Sequence, residues 1–363
     1  MIPLNDLSRK SSSQIDAEIA CISEVVRSGH YMKGPKTEAL EKAISSKIAG
    51  KHVLCVANGT DALVLAMLGL GLKSEDKIAV TPNSGGYSTT AALEIGLVPI
   101  LVDVEFKTHQ LDIESFKNTF SAHPDLKCVV VTHLYGQIGE IKEIVDFCQL
   151  HNIFVIEDCA QAFGARKVDS WAGSWGDAAT FSFYPTKNLG GLGDGGAVAF
   201  SSLKNFEAAR EISQYGWVQR YVISRMRGMN SRIDEIQAAV LLYRIELLEA
   251  ENSKRREIVS IYATSLTNNR TIVGSQLEDF VGHLCVMVTV DRDSDARVLE
   301  SKGIATGIHY PVLDQHQPAW LEIFKGQTTP VAEILVNQIL TLPCFPELSP
   351  DEIKTVSTAI SKL

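Results

Sequence analysis

The sequence predicts an α/β protein: a large domain built on a mostly parallel sheet, followed by a smaller C-terminal α+β domain. Three observations carry this expectation. Short β-branched runs alternate with helical patterns through the first two-thirds of the chain, as in a sheet covered by helices on both faces. A long helical pattern then opens at Ile233, and strand-like runs become sparse beyond it. The length, 363 residues with 45% hydrophobic content, fits two domains at roughly 150 residues each. We place the large domain at 1–245 and the small one at 246–363.

The first helix is read from Ile15, Ile19, Ile22 and Val26, which recur at helical spacing after a Ser-rich cap and stop at Gly29. Strand-like runs follow at Val53–Val56, Ile78–Val80, Pro99–Val102, Cys128–Val131, Phe154–Ile156 and Ala179–Phe183. Helical patterns separate most of them, for example Ile141–Leu150. The long helix runs through Ile236, Val240, Ile245 and Leu248. In the smaller domain we expect a strand at Leu284–Val290 and helices near Asp295–Ser301, Val331–Leu340 and Asp351–Leu363. A sheet of this kind places its ligand site at the carboxyl ends of its strands.

Composition narrows the function classes. A net charge of −9 argues against a nucleic-acid protein, which needs a basic face to neutralise phosphates. An anionic substrate would have to be met by local Arg and Lys. No segment approaches the roughly 20 apolar residues that span a bilayer, so no membrane partner is expected. The start, Met1-Ile-Pro-Leu-Asn-Asp6, lacks the basic-then-apolar pattern of a signal peptide. The seven cysteines form no Cys-x-x-Cys pair and mostly lie in apolar runs such as Lys127-Cys-Val-Val-Val131. They read as reduced core residues of a cytoplasmic protein, with no metal role.

Three stretches carry chemistry. In Val155-Ile-Glu-Asp-Cys-Ala-Gln-Ala-Phe-Gly164 an apolar strand ends at Glu157-Asp158, which puts a carboxylate at the ligand edge of the sheet. Asp158 is either a helix cap or the partner of a pyridinium nitrogen that it keeps protonated. Gln161, three residues on, is within reach of a phenolic oxygen on the same ring. In Phe181-Ser-Phe-Tyr-Pro-Thr-Lys-Asn-Leu-Gly190, Lys187 follows a buried strand and precedes a glycine cluster, Gly193-Asp-Gly-Gly196. A lysine in a partly desolvated pocket has a lowered pKa and suits Schiff-base formation. Ser182 is placed to donate to a phosphate oxygen. In Ala57-Asn-Gly-Thr-Asp-Ala-Leu63 a strand passes through Gly59 into a helix, and such a turn admits a phosphate to backbone N–H groups. Thr60 or Asp61 caps that helix in the plainer reading. Tyr87, after Pro82-Asn-Ser-Gly-Gly86, either stacks on a flat ring or packs in a turn. A phosphate cradle, a pyridinium partner, a stacking aromatic and an imine lysine together fit pyridoxal 5′-phosphate.

These residues resemble the nucleotide-sugar aminotransferase family, the DegT-type group with the aspartate aminotransferase-like fold (fold type I). The likeness extends through Ser28-Gly-His-Tyr-Met-Lys-Gly-Pro35, His133-Leu-Tyr-Gly-Gln137, Gly228-Met-Asn-Ser-Arg-Ile-Asp-Glu-Ile-Gln-Ala-Ala239 and His309-Tyr-Pro311. The resemblance implies that Lys187 bonds the cofactor, Asp158 pairs with its ring nitrogen and Gln161 contacts its phenolic oxygen. It implies that Gly59, Thr60 and Ser182 hold the phosphate and that Asn230 is lent to the neighbouring subunit's site in a homodimer. An amino donor, L-glutamate in most of the family, would reload the cofactor, and Lys187 would carry the proton between cofactor and sugar carbons. Asn230-Ser-Arg-Ile-Asp234 looks like the branch that aminates C3 of keto-sugars, often dTDP-3-keto-6-deoxyhexoses. In that branch Tyr184, His309 and Tyr310 line the sugar, and Arg220 meets the diphosphate. Amination at C4, or a non-catalytic sensor of the same fold, are the alternatives. Two stretches depart from the family pattern: Pro82-Asn-Ser-Gly-Gly-Tyr87 is one residue longer, and Pro311-Val-Leu-Asp-Gln-His316 breaks the common Pro-Val-Pro-Leu-His order.

Overall fold

The computed structural model describes residues 1–267, 269–276 and 279–363. Its centre is a seven-stranded sheet. Five strands come first: β1 (His52–Val56), β2 (Lys77–Val80), β3 (Val98–Leu101), β4 (Cys128–Thr132) and β5 (Phe154–Asp158). A two-residue ribbon, β6 (Arg166–Lys167) with β7 (Ser170–Trp171), precedes β8 (Ala178–Ser182) and β9 (Gly196–Phe200). The spatial order is β1-β9-β8-β5-β4-β2-β3, and only β9 runs against the rest.

The strands are buried on both faces, which is why they read as continuous apolar runs. In β4, Val129 and Val131 enter one core while Cys128 and Val130 enter the other. The first core is closed by helices α2 (Pro35–Lys47) and α6 (Ile141–His151), the second by α3 (Gly59–Gly69) and α7 (Leu203–Ile212).

Helix α1 (Ser12–Ser28) has its capping box at Ser11 and Gln14 and ends at Gly29, whose φ of 68° suits glycine. Its apolar stripe, however, is not turned inward. Ile15, Ile19 and Val26 are exposed, while Glu18 and Val25 are buried. The physical reason is an ion cluster: Glu18 takes Arg244 on both carboxylate oxygens, at 2.7 and 2.8 Å, and Lys10 at 2.7 Å. Charge pairing, not the hydrophobic stripe, orients α1 on this chain.

The long helix, α8 (Glu235–Ser265), is capped by Asp234 and runs 31 residues, well past Leu248. Its first half packs Ala238, Leu241 and Ile245 into the large-sheet core, and its second half packs Ile258, Val259 and Tyr262 into a third core. Residue 245 therefore lies inside a continuous helix. The third core surrounds a small antiparallel sheet, β12 (Thr271–Ile272), β13 (Cys285–Val288) and β14 (Ile339–Leu342). The helix expected over Val331–Leu340 is corrected here: it stops at Leu335, and Ile339–Leu342 pairs with β13 as a fully buried strand. A short, fully buried run carries no periodicity that separates the two states. A projecting hairpin, β10 (Trp217–Gln219) with β11 (Val222–Ile223), completes the fold. No described helix is long and apolar enough to cross a membrane.

Candidate active site

The strands deliver their carboxyl ends to one cavity of about 890 Å³. β5 brings Asp158, the end of β8 brings Ser182, the segment after it brings Lys187, and the start of α3 brings Gly59 and Thr60; all five line it. Tyr87, Tyr184, His309 and Tyr310 line it as well.

The anion end follows from the geometry of α3. Its cap is Asn58, whose side chain accepts the Asp61 N–H at 2.8 Å, so neither Thr60 nor Asp61 caps this helix. The N–H groups of Gly59 and Thr60 lie ahead of the intrahelical ladder and bond no described residue. A Cβ on Gly59 would stand 2.8 Å from Cβ of Ser182, so only glycine lets the helix start approach β8 this closely. Two free amides at a helix N-terminus, with the Ser182 hydroxyl beside them, are an anion cradle.

At the other end Asp158 is fully buried. Its carboxylate accepts the Ala160 N–H at 3.1 Å and a long bond from the Thr132 hydroxyl at 3.5 Å, which leaves acceptor capacity for a further donor. Burial pushes its pKa up, and the Lys187 ammonium partly opposes this. Burial lowers Lys187 to about 8, against the pull of Asp158. A cation-accepting carboxylate, a near-neutral amine and an anion cradle in one cavity fit pyridoxal phosphate.

Glu157 points away from the cavity. Its oxygens take backbone N–H groups from Gly173 (2.9 Å), Trp175 and Gly176 (both 2.7 Å), and Nε2 of His133 at 3.0 Å. His133, Glu157 and Cys159 lie close enough to hold a metal ion. The carboxylate is already saturated, however, and burial holds the Cys159 thiol far above its usual pKa, so the cluster serves as an anchor for β5.

Gln161 accepts the Tyr135 N–H at 2.7 Å and donates to the Tyr310 hydroxyl at 3.1 Å, which leaves one amide hydrogen uncommitted. It sits just behind the cavity lining. Tyr87 starts helix α4 (Tyr87–Glu94), is half exposed, and meets Tyr310 edge-on at 6.1 Å. His309 Nδ1 bonds the Thr341 hydroxyl at 2.9 Å.

Besides Gln161, neither Arg220 nor Asn230 lines this cavity, and Asn230 is the residue expected at the neighbouring subunit's site. Arg220 is exposed at the tip of the β10–β11 hairpin and lies over the Tyr221 ring at 4.9 Å. Asn230 is exposed and bridges Gln214.

The two departures from the family pattern meet each other. The Asp314 N–H donates to Pro82 O at 3.0 Å, and the Thr89 hydroxyl donates to the buried Asp314 carboxylate. Gly85 and Gly86 both take left-handed φ, 81° and 77°. A Cβ on Gly85 would press on the Tyr310 and Tyr87 rings at 3.1 Å, and one on Gly86 would meet Trp320 at 2.8 Å. The extra glycine is thus what lets this loop wrap the aromatic wall. Sequence reasoning missed His283, which also lines the cavity; it stands alone before β13 with no local motif around it.

The family model for the DegT/DnrJ/EryC1/StrS aminotransferases matches residues 13–361. The chain belongs to this family. This aminotransferase is 35% identical over 338 residues to the erythromycin biosynthesis sensory transduction protein EryC1 of Saccharopolyspora erythraea, covering 92% of this chain and 91% of that one. It is 33% identical over 365 residues to the dTDP-3-amino-3,6-dideoxy-alpha-D-galactopyranose transaminase of Aneurinibacillus thermoaerophilus, covering 100% and 99%. Its fold superposes with a TM-score of 0.94 on a crystal structure of S. venezuelae DesV described as a complex with a ketimine intermediate, at 32% identity over 99% and 98% of the two chains. The α/β fold read from the sequence is the fold of these aminotransferases.

Proposed function

We propose that this enzyme moves an amino group from L-glutamate to C3 of a dTDP-3-keto-6-deoxyhexose, in the cytoplasm, for amino-sugar biosynthesis. The observation that carries the reading is the full-length likeness to a transaminase named for a dTDP-3-amino sugar. The Asn230-Ser-Arg232 pattern ahead of α8 supports it.

Pyridoxal phosphate supplies the electron sink and the carbonyl that takes up and returns the amino group. Around it, Gly59, Thr60 and Ser182 hold the phosphate, and Asp158 keeps a proton at the ring nitrogen. Tyr87 covers the ring face and Gln161 donates to the phenolic oxygen. Lys187, once free, moves the proton between the two reacting carbons as a base whose pKa lies near neutrality. Tyr184, His309 and Tyr310 orient the hexose.

A ketone carbon must lie about 3 Å from the attacking nitrogen, so changing C3 for C4 turns the whole sugar. Each hydrogen bond to a sugar hydroxyl that this turn breaks costs about 1–3 kcal/mol. Freshly prepared dTDP-3-keto-6-deoxyhexose should therefore be turned over faster than its 4-keto isomer, with the product identified by mass and NMR. A C4-amino product, with nothing formed from the 3-keto sugar, would move the enzyme to the C4 branch.

We further propose a homodimer with shared sites. The exposed Ile15, Ile19 and Val26 of α1, and Val222, Ile223 and Met226 of the hairpin, are the apolar surface for it. Asn230 and Arg220 then serve the partner's site. Inactive Lys187→Ala and Asn230→Asp chains should recover activity in mixed dimers, because one of the two sites would carry neither lesion. Verified hybrids that stay inactive would place each site within one chain.

A further inference from the structure

Asp314 ties down the loop that carries Tyr87 on both sides of that residue. Its backbone N–H donates to the Pro82 carbonyl at 3.0 Å, and its Oδ2 accepts the Thr89 hydroxyl. Between the two anchors stand Gly85 and Gly86, with φ of 81° and 77°. Two consecutive glycines leave a turn with wide backbone freedom, so a ring placed directly after them is held only as firmly as the ends of the loop. Tyr87 is that ring: it follows Gly86, starts α4 and lines the cavity beside Tyr310. Asp314 and Thr89 are both buried, at 1% and 0% exposure. Among the described residues no cation offsets the carboxyl; burial raises its pKa to about 7, and only the Thr89 hydroxyl opposes this. Its Oδ1 has no partner among them either. A carboxyl buried on these terms costs stability, and such groups concentrate beside ligand sites.

We propose that Asp314 is a positioning residue: by fixing Pro82 and Thr89 it holds the Tyr87 ring where it covers the flat ring of bound pyridoxal phosphate. This rests on the reading of Tyr87 as the residue that covers that ring. Asp314 does not itself line the cavity, so its effect passes through Tyr87. The bond to Pro82 is made by the backbone and survives most substitutions at 314. The bond to Thr89 needs an oxygen acceptor at 314 and a hydroxyl at 89, and it is the one that variants can break.

The test breaks the side-chain bond from either end in the full-length protein. Asp314→Ala removes the acceptor, Thr89→Val removes the donor at nearly constant shape, and Asp314→Asn keeps an oxygen for the hydroxyl. Hydrogen–deuterium exchange of the cofactor-free protein reads the loop itself. Losing a hydrogen bond to a carboxylate should speed exchange of the peptide 82–90 by about tenfold in Asp314→Ala and Thr89→Val. Titration with pyridoxal phosphate, followed by the circular dichroism induced in the cofactor band, reads what the loop holds. The dissociation constant should rise about fivefold in the same two variants, the size of one aromatic contact, and return to the wild-type value in Asp314→Asn. In a Tyr87→Ala background, Asp314→Ala should weaken binding no further. Should Asp314→Ala not fold, the near-isosteric Thr89→Val carries the same comparison. Cofactor affinity unchanged in Thr89→Val, no rescue by Asp314→Asn, or a further loss in the Tyr87→Ala background would overturn the proposal and leave Asp314 as a packing residue. A Tyr87→Ala variant that binds the cofactor as wild type does would refute the reading of Tyr87, whereas the exchange rate of 82–90 decides independently whether Asp314 holds the loop.

Discussion

Alanine at position 187 is expected to abolish amino transfer, lowering turnover by at least about 10³-fold, because on the proposed reading Lys187 is both the covalent anchor and the proton carrier. The argument rests on the cavity. Burial brings the Lys187 amine to about 8, with Asp158 holding it from falling further. An ordinary surface lysine, with a pKa of about 10.4, would have a far smaller fraction of free amine at neutral pH. Wild-type holoenzyme should absorb in the near-visible and, after borohydride, carry the cofactor irreversibly on the peptide that contains Lys187. The alanine variant should still fold, since Lys187 donates only through its backbone, to Tyr184 O at 2.8 Å. Label on any other peptide would remove Lys187 from its proposed role.

Asp158→Asn should leave the fold intact and cost about 10²-fold in turnover, equivalent to ~3 kcal/mol, the upper end for a hydrogen bond to a charged group. Asparagine keeps an acceptor for the Ala160 N–H but would not sustain a positive charge on the ring nitrogen that the proposal puts beside it. The sign of the pKa shift agrees with that role. Burial raises Asp158, so the carboxylate gains from a cationic neighbour, and Lys187 supplies one from the cavity wall. Stopped-flow measurement of the glutamate half-reaction would locate the loss in the proton-transfer step. Near-normal turnover would leave Asp158 as a turn cap and nothing more.

How far the residues announced these features depended on what kind of force sets each one. The sheet was legible because β4 and β5 bury both faces, and such strands read as unbroken β-branched runs. Asp158 and Lys187 were legible because each follows such a run at the edge where ligands bind. Helix α1 misled, since hydropathy alone does not reveal that Glu18 is claimed by Arg244, a residue 226 positions away. The run Ile339–Leu342 misled because four consecutive buried residues have no period. Asp314 and Thr89 stand 225 positions apart, so nothing local announces that these two parts of the chain meet. His283 had no signal at all, because its partner Asn188 lies 95 positions away in the chain.

The close approach at Gly59 bears on how this catalyst can diversify. Its Cβ would collide with Ser182 at 2.8 Å, and a Cβ on Gly196 would stand 2.5 Å from the Asn58 backbone. Two chain segments therefore touch through glycines where neither backbone can retreat. Growth of a side chain is barred where α3 meets β8, so that part of the cavity is closed to inheritance of new shapes. Tyr184, His309 and Tyr310 line the same cavity outside the central strands. Divergence toward new sugars, in nature or in a mutant library, is expected at those three residues, and a library that randomises 59 or 196 should return mostly dead clones.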